Sequence, residues 1–306
     1  MRAIIVDPSA PAALRLAEVA QPVAGPSQVL LDVHHTSVNY GDLNDARSGR
    51  VAPGAVLGSD AAGVVARGAA DGSGPAAGTR VVALGTATWA QLSAVEVGAL
   101  AVVPPSVDLC ETAALPVAGI TALRALRAAG PVLGKRVLIT GASGGVGRFA
   151  VQLAVRAGAH VIASAGSVAR GEALVKTGAD EVVVGLNGID QPVDAVLDTV
   201  GGPQLVAAWD LLAPGGSLQS IGWTSGKPAV FPPYSTVGAP KSLTSFLIEG
   251  EVGADLATLV RLVAEGRLTA EVGWRGPWEQ VAAAAEALLG RRVNGKAVLD
   301  VGPAAG

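Results

Sequence analysis

The chain has 306 residues, half of them apolar and 15% charged, which suits two domains of ordinary size and excludes a disordered chain. Lysine and arginine total 22 against 25 acidic residues, a formal charge of −3 with no basic block, which argues against nucleic acid as a partner. The single cysteine, Cys110, rules out an internal disulfide and a thiolate zinc cluster, and fits a reducing, cytoplasmic setting.

The opening residues run straight into Asp7 and Pro8, so no export leader is predicted. The longest uncharged stretches, 211–226 and 228–240, are broken by Gly and Pro, so no membrane-spanning helix is predicted either. Short β-favouring runs at Arg2–Val6, Val29–His34, Gly63–Ala66, Arg80–Ala83 and Trp89–Ala94, divided by turn sequences such as Ala24-Gly25-Pro26, predict a small β-rich domain. From Glu111 the apolar period changes. Leu115, Ile120, Leu123 and Leu126 predict a linking helix that ends near Gly130-Pro131.

Strands and helices then alternate. Strands are predicted at 136–140, 160–164, 181–184, 193–198 and 216–222, with helices at 147–157, 170–177 and 203–212 between them. This is the pattern of a doubly wound α/β sheet. Leu243–Ile248 adds a sixth strand with apolar residues on both faces, and such an uncovered edge predicts pairing with a second copy in a homodimer. Helices at 255–265 and 278–289 and a last strand at 296–301 complete the chain.

The strongest motif is GASGGVG at 141–147, set between an apolar strand and an amphipathic helix. Backbone approaches a pyrophosphate closely only where Cβ atoms are absent, and a helix N-terminus offers N–H groups and the positive end of a dipole. Gly144, Gly145 and Gly147 meet that need, with Ser143 and Val146 in the same turn. Preference for NADPH follows from the end of the second strand, where an NAD site places a carboxylate. No acid occurs between Arg156 and Glu172, whereas Ser164, Ser167 and Arg170 supply donors for a 2′-phosphate.

The segments SVNYGDL (37–43), PGAVLGSDAAGVV (53–65), AALPVAGITALRAL (113–126), VDAVLDTVGG (193–202), GGSLQSIG (215–222) and NGKAVLDV (294–301) join the glycine turn in a wider pattern. Together they resemble the medium-chain dehydrogenase/reductase superfamily, in its zinc-free quinone oxidoreductase and enoyl reductase branch. The resemblance implies a Rossmann doubly wound parallel sheet inserted into a GroES-like β-rich catalytic domain. On that plan residues 1–118 and 258–306 form the catalytic domain, residues 119–257 bind NADPH, and a cleft lies where the two meet. Zinc-dependent relatives carry a cysteine and a histidine in the segments that hold Asn39 and Ser59 here, so no metal is expected. Accordingly His34, His35 and His160 are expected to be ordinary strand residues.

The same resemblance implies site roles. Tyr40 is the candidate acid that protonates the α-carbon after hydride addition, and Asn39 would hydrogen-bond the nicotinamide ribose. Asp42 is expected to cap the turn that presents them. Thr121 lies where the linking helix of the family touches the cofactor. Thr199, Val200 and Gly201, together with Gly222 and Trp223, follow strands and should sit at the carboxyl edge of the sheet. Phe246, Leu247 and Asn294 would border the nicotinamide. Candidate walls of an apolar substrate pocket are Tyr40, Trp89, Trp223, Phe231 and Tyr234.

These features imply an NADPH-dependent reductase that transfers hydride to a quinone or to the C=C bond of an α,β-unsaturated carbonyl without zinc. A pathway-specific enoyl-thioester or enone reductase is the close rival. An NADPH-binding protein with little catalytic activity is the alternative from another class. The substrate expected is a small apolar or aromatic carbonyl compound, with neither nucleic acid nor membrane as partner.

Overall fold

The computed structural model describes residues 1–302. The chain divides into two compact units, one made of residues 1–120 and 249 onward, the other of residues 121–248. The first unit opens with β1 (Arg2–Val6), β2 (Leu14–Glu18), β3 (Gln28–Val38), α1 (Tyr40–Ser48), β4 (Asp60–Arg67), β5 (Arg80–Leu84), β6 (Leu92–Glu96), β7 (Leu100–Val102) and α2 (Leu109–Thr112). The chain passes between units within α3 (Pro116–Ala128). The second unit contains β8 (Arg136–Ile139), α4 (Gly145–Arg156), β9 (His160–Ala165), α5 (Val168–Val175), β10 (Glu181–Val184), β11 (Val193–Asp198), α6 (Pro203–Asp210), β12 (Leu212–Ser220) and β13 (Ser242–Ser245). The first unit then resumes with α7 (Gly253–Ala264), β14 (Val272–Pro277), α8 (Val281–Leu289) and β15 (Lys296–Asp300).

In the first unit β1 and β2 form an antiparallel ribbon. The main sheet runs β14-β15-β3-β4-β5-β7, with β6 also paired to β3. The long β3 alternates, burying Val29, Leu31 and Val33 against Val65, Val81 and Val95 from neighbouring strands. A second core gathers Ile4, Leu43, Trp89, Trp278 and Leu299.

In the second unit all six strands are parallel, in the order β10-β9-β8-β11-β12-β13. Counted along this unit the order is 3-2-1-4-5-6, which places the topological switch between β8 and β11. Val137, Leu138 and Ile139 of β8 are all fully buried, as a central parallel strand requires. Among the described residues no helix is long and apolar enough to cross a membrane.

Several details differ from the sequence expectations. The strand expected at 89–94 begins at Leu92 as β6, because Trp89 and Ala90 are drawn aside into a bridge with β1. The linking helix is two pieces, since Pro116 has no N–H to donate and opens a new helix. The sixth strand is shorter than expected and all four of its residues are exposed. The last long helix starts at Val281, with Trp278–Gln280 as a single 3₁₀ turn ahead of it.

Candidate active site

The glycine turn lies between β8 and α4, beside the switch point. Gly144 is the N-cap of α4 in an extended conformation with no side-chain cap, so the first-turn N–H groups contributed by Gly145, Val146 and Gly147 are not covered by a capping side chain. Gly147 serves packing: a Cβ there would stand 2.4 Å from the Gly141 oxygen and 2.5 Å from the Ala142 Cα. The turn is tied to the neighbouring strand by the Ala142 N–H, which donates to the Ser164 oxygen at 2.9 Å.

Two guanidinium groups converge on Ser143. Arg170 Nε donates to its hydroxyl at 2.9 Å, and Arg148 Nε donates to its carbonyl at 3.4 Å. Arg148, a residue that sequence reasoning missed, is buried in the first turns of α4. Burial and the neighbouring Arg170 charge hold it below the usual guanidinium range. Two like charges gathered at a helix N-terminus, with no carboxylate between residues 156 and 172, make a donor set suited to a phosphorylated ribose. Ser167, half-buried, is the N-cap of α5 close by in sequence. The hydroxyl of Ser164 is committed elsewhere: it donates to the Gly185 oxygen at 2.6 Å and accepts from Gln204 Nε2 at 3.0 Å, fully buried.

Beyond the switch point, the segments after β11 and β12 pack together. Gly201 lies at φ +70°, and a Cβ there would come within 2.6 Å of the Trp223 ring. The Ser225 N–H donates to the Val200 oxygen at 2.9 Å, and Thr224 Oγ1 donates to the Thr199 oxygen at 3.1 Å. A Cβ at Gly222 would likewise approach that Thr199 oxygen. Asp198 anchors the turn, accepting from Thr140 Oγ1 at 2.5 Å and from the Gly201 N–H at 2.8 Å. Burial raises its carboxyl above the ordinary range despite these bonds. Thus the segments that hold Thr199, Val200 and Gly201 and Gly222 and Trp223 are brought together where they follow β11 and β12.

Other second-unit candidates are more dispersed. Thr121 is buried in α3. Phe246 is half-buried and its N–H donates to the Ser220 oxygen, extending β13 by one bond, whereas Leu247 is exposed. Phe231 packs edge-on against Trp209, with centroids 6.0 Å apart, in the core of this unit. Tyr234 is exposed at φ +66°.

In the first unit, Asn39 and Tyr40 open α1 within a dense polar network. Asp42, at the third helical position, accepts from the Asn39 N–H at 3.3 Å as in a capping box, and from Asn39 Nδ2 at 3.2 Å. Ser59 Oγ donates to the other Asp42 oxygen at 2.8 Å. Fully buried Asp60 accepts from Asn39 Nδ2 at 2.9 Å, from Ser37 Oγ, from the Val117 N–H at 2.8 Å and from Lys296 Nζ at 3.2 Å. Lys296 Nζ also donates to Asn39 Oδ1. Asp42 is half-buried as a residue, but its carboxylate is enclosed by these groups. Burial first, and then the Asp60 charge, push it up to about 6, against the Ser59 and Asn39 hydrogen bonds and the Lys296 ammonium. Tyr40 keeps 38% of its surface exposed.

Asp60 and Lys296 were not among the sequence candidates. The signal was present, since each is a charge that opens a strand and is followed by a run of small or apolar residues. Asn39 has both amide hydrogens on carboxylates and its oxygen on an ammonium, so its side chain is held by the protein itself. Trp89 requires a correction: it is fully buried with Nε1 donating to the Ser37 oxygen at 3.0 Å, which makes it a core residue and not a pocket wall. Asn294 is exposed just before β15.

Neither Asn39 nor Ser59 offers a metal ligand of the usual zinc kind, and the Asn39 oxygen is already taken by the Lys296 ammonium. Among the described residues, His35, Cys110 and Asp300 are the group of metal-type side chains, with ligand atoms within 4.8 Å of one another. There Arg275 Nε already donates to both Asp300 oxygens, at 3.1 and 3.0 Å, and His35 Nδ1 lies 2.8 Å from one of them. Burial pushes the Cys110 thiol up to about 11. His160 pairs with Glu181 at 2.6 Å.

A six-stranded parallel sheet of this order, carrying such a turn at its switch point, defines a dinucleotide-binding protein with a separate β unit. Comparisons with known proteins narrow the class. Residues 25–162 match the alcohol dehydrogenase GroES-like domain, and residues 172–299 match a family described as zinc-binding dehydrogenase. Bovine prostaglandin reductase-3 is 30% identical over 92% of this chain and 83% of its own length. The quinone oxidoreductase from Coxiella burnetii is 28% identical, covers 98% of this chain and 99% of its own, and superposes with a TM-score of 0.87. Mycobacterial Rv1454c, solved in complex with NADPH, is 25% identical with a TM-score of 0.85, covering 98% and 100%. A polyketide synthase protein of Streptomyces orinoci, NorB, is 33% identical over 94% of this chain, which spans only 14% of that protein's length. The chain belongs to the medium-chain dehydrogenase/reductase family, in its quinone-oxidoreductase and enoyl-reductase branch, and lacks that family's usual zinc site.

Proposed function

We propose that this chain is an NADPH-dependent reductase of quinones and α,β-unsaturated carbonyl compounds, working without zinc. The observation that carries the cofactor half of this reading is the pair Arg148 and Arg170 on Ser143, at the N-terminus of α4, with no carboxylate nearby in sequence. When bound, NADPH supplies a hydride. The first turn of α4 and the two guanidinium groups would hold its phosphates, while Thr199, Val200 and Gly201 would line the carboxyl edge of the sheet. Hydride delivered to the β-carbon of an enone leaves negative charge on the carbonyl oxygen and α-carbon of the substrate. The α-carbon then needs a proton. Tyr40, partly exposed at the first turn of α1, holds an O–H for that transfer. Asn39, clamped in the network behind it, fixes the start of the helix on which Tyr40 stands.

An enoyl thioester is the second substrate reading, favoured by the alignment over 94% of the chain to a polyketide synthase protein. Exposed β13, with Leu243 and Leu247 at or beside a sheet edge, supports a homodimer that joins two such edges, and sedimentation at micromolar concentration tests it. A single buried cysteine fits a reducing cytoplasm.

The deciding experiment follows NADPH oxidation with a simple quinone, an enone and an enoyl thioester, for the natural chain and for Tyr40→Phe. The expected result is turnover with NADPH well above that with NADH, with Tyr40→Phe slowing C=C reduction by roughly 100-fold or more and leaving quinone reduction unchanged. No turnover of any of the three, alongside tight NADPH binding, would replace the reductase reading with a binding role.

A further inference from the structure

Lys296 is the one charged residue at the start of β15, followed by Ala297, Val298 and Leu299, and only 4% of its surface is exposed. Asp60 begins β4 and is fully buried. Burying two charges is costly, and an apolar pair of similar volume would often serve stability as well or better. Stability alone therefore gives no reason for an ammonium here. Its contacts give one: Nζ donates to Asp60 Oδ2 at 3.2 Å and to Asn39 Oδ1.

The Asn39 amide is thereby held in one orientation. Its oxygen faces an ammonium, and its NH₂ faces the carboxylates of Asp42 and Asp60, at 3.2 and 2.9 Å. Turning it over would set NH₂ against the ammonium and oxygen against two carboxylates. Asp60 is itself pinned by the Val117 N–H at 2.8 Å and by Ser37 Oγ, so the clamp is fixed to α3 and β3. Asn39 is the N-cap of α1 and Tyr40 its first residue.

We infer that Lys296 and Asp60 are a positioning pair that locks the Asn39 amide and so sets the first turn of α1, which carries Tyr40, in the orientation required for proton transfer to the substrate. This rests on the reading of Tyr40 as proton donor. Neither Lys296 nor Asp60 touches substrate in this scheme. Both act through Asn39.

The test measures two things on Lys296→Met, Lys296→Arg, Asp60→Asn and the charge-neutral double variant Asp60→Asn/Lys296→Met. One is amide hydrogen exchange in a peptide covering residues 37–48 without substrate. The other is kcat and KM for enone reduction. Lys296→Met should speed exchange in the first turn of α1 by roughly tenfold or more. It should also lower kcat about 10- to 100-fold with little change in the enone KM, since a misplaced acid slows chemistry and not binding. Lys296→Arg should recover part of both losses. Adding Lys296→Met to Tyr40→Phe should cause no further drop in kcat, because the positioning pair acts only through the acid that Tyr40→Phe has already removed. If Lys296→Met does not fold, the double variant carries the same two expectations. Natural exchange and natural kcat in a folded Lys296→Met, or in the double variant, would overturn the inference. The two readings fail separately: a fully active Tyr40→Phe with loosened α1 in Lys296→Met rejects Tyr40 as donor and keeps the clamp on α1. A slow Tyr40→Phe with an unaltered Lys296→Met does the reverse.

Discussion

Asp42 gives a pH signature that distinguishes its burial from an ordinary surface carboxylate. Its folded pKa is pushed up from 3.8 to about 6, chiefly by burial and then by Asp60. A proton on Asp42 therefore favours the folded chain. Its contribution is complete below the unfolded value near 3.8 and is lost as pH rises through 6. A shift of roughly two units at about 1.4 kcal/mol per unit sets the size of the loss at about 2–3 kcal/mol between pH 4 and 7. Asp42→Asn keeps an oxygen for the Asn39 N–H and removes the titration. Urea unfolding of both proteins at intervals from pH 4 to 8 should show the variant gaining about 2–3 kcal/mol on the natural chain across that window, then running parallel above pH 7. Parallel curves throughout, or a natural chain that gains on the variant as pH rises, would refute the reasoning. Because the Lys296 ammonium lowers the Asp42 value, Lys296→Met should move the same window upward.

Other expectations concern the nucleotide side and the core. Arg170→Ala should weaken NADPH binding about 10- to 150-fold, the worth of one charged hydrogen bond, and leave NADH binding unchanged by calorimetry. Gly147→Ala puts a Cβ within 2.4–2.5 Å of the turn backbone, so it should cost about 1–3 kcal/mol of stability and abolish tight NADPH binding. Trp89→Ala empties a fully buried site and loses the bond to the Ser37 oxygen, which should lower stability by about 3–5 kcal/mol in urea unfolding.

The nucleotide-binding half of the fold was legible because its signals are local. Continuous apolar runs, turn glycines and an amphipathic α4 sit next to one another in sequence, and the strand order follows from their alternation. What escaped was set by distance or by weak periodicity. Only Leu43 and Ala46 of α1 are buried, too sparse a stripe to announce a helix, although Asn39, Asp42 and the left-handed Gly49 were its punctuation. Strand β14 alternates exposed and half-buried residues and contains two glycines and a proline, so nothing in it reads as a strand. The candidate site divides the same way. Ser143, Arg170, Thr199 and Gly201 are candidates named from their places in turns that follow strands. The Asp60–Lys296 pair joins residues 236 positions apart, and no window along the chain contains both. Trp89 misled because an aromatic in a chain with few of them suggests a pocket wall, while the actual constraint, its indole N–H on the Ser37 oxygen, is a tertiary contact.

The late position of β15 orders the folding of the molecule. In the main sheet of the first unit, β15 lies between β14 and β3, so residues His35–Val38 of β3, beyond the stretch that β6 pairs, lack their partner on that flank until residues 296–300 have left the ribosome. Residues 121–248 form a continuous stretch and complete their own sheet earlier in synthesis. A ribosome-stalled chain ending before Lys296 would thus present a finished nucleotide-binding unit beside an incomplete sheet, with the Asp60 carboxylate still awaiting its counter-charge.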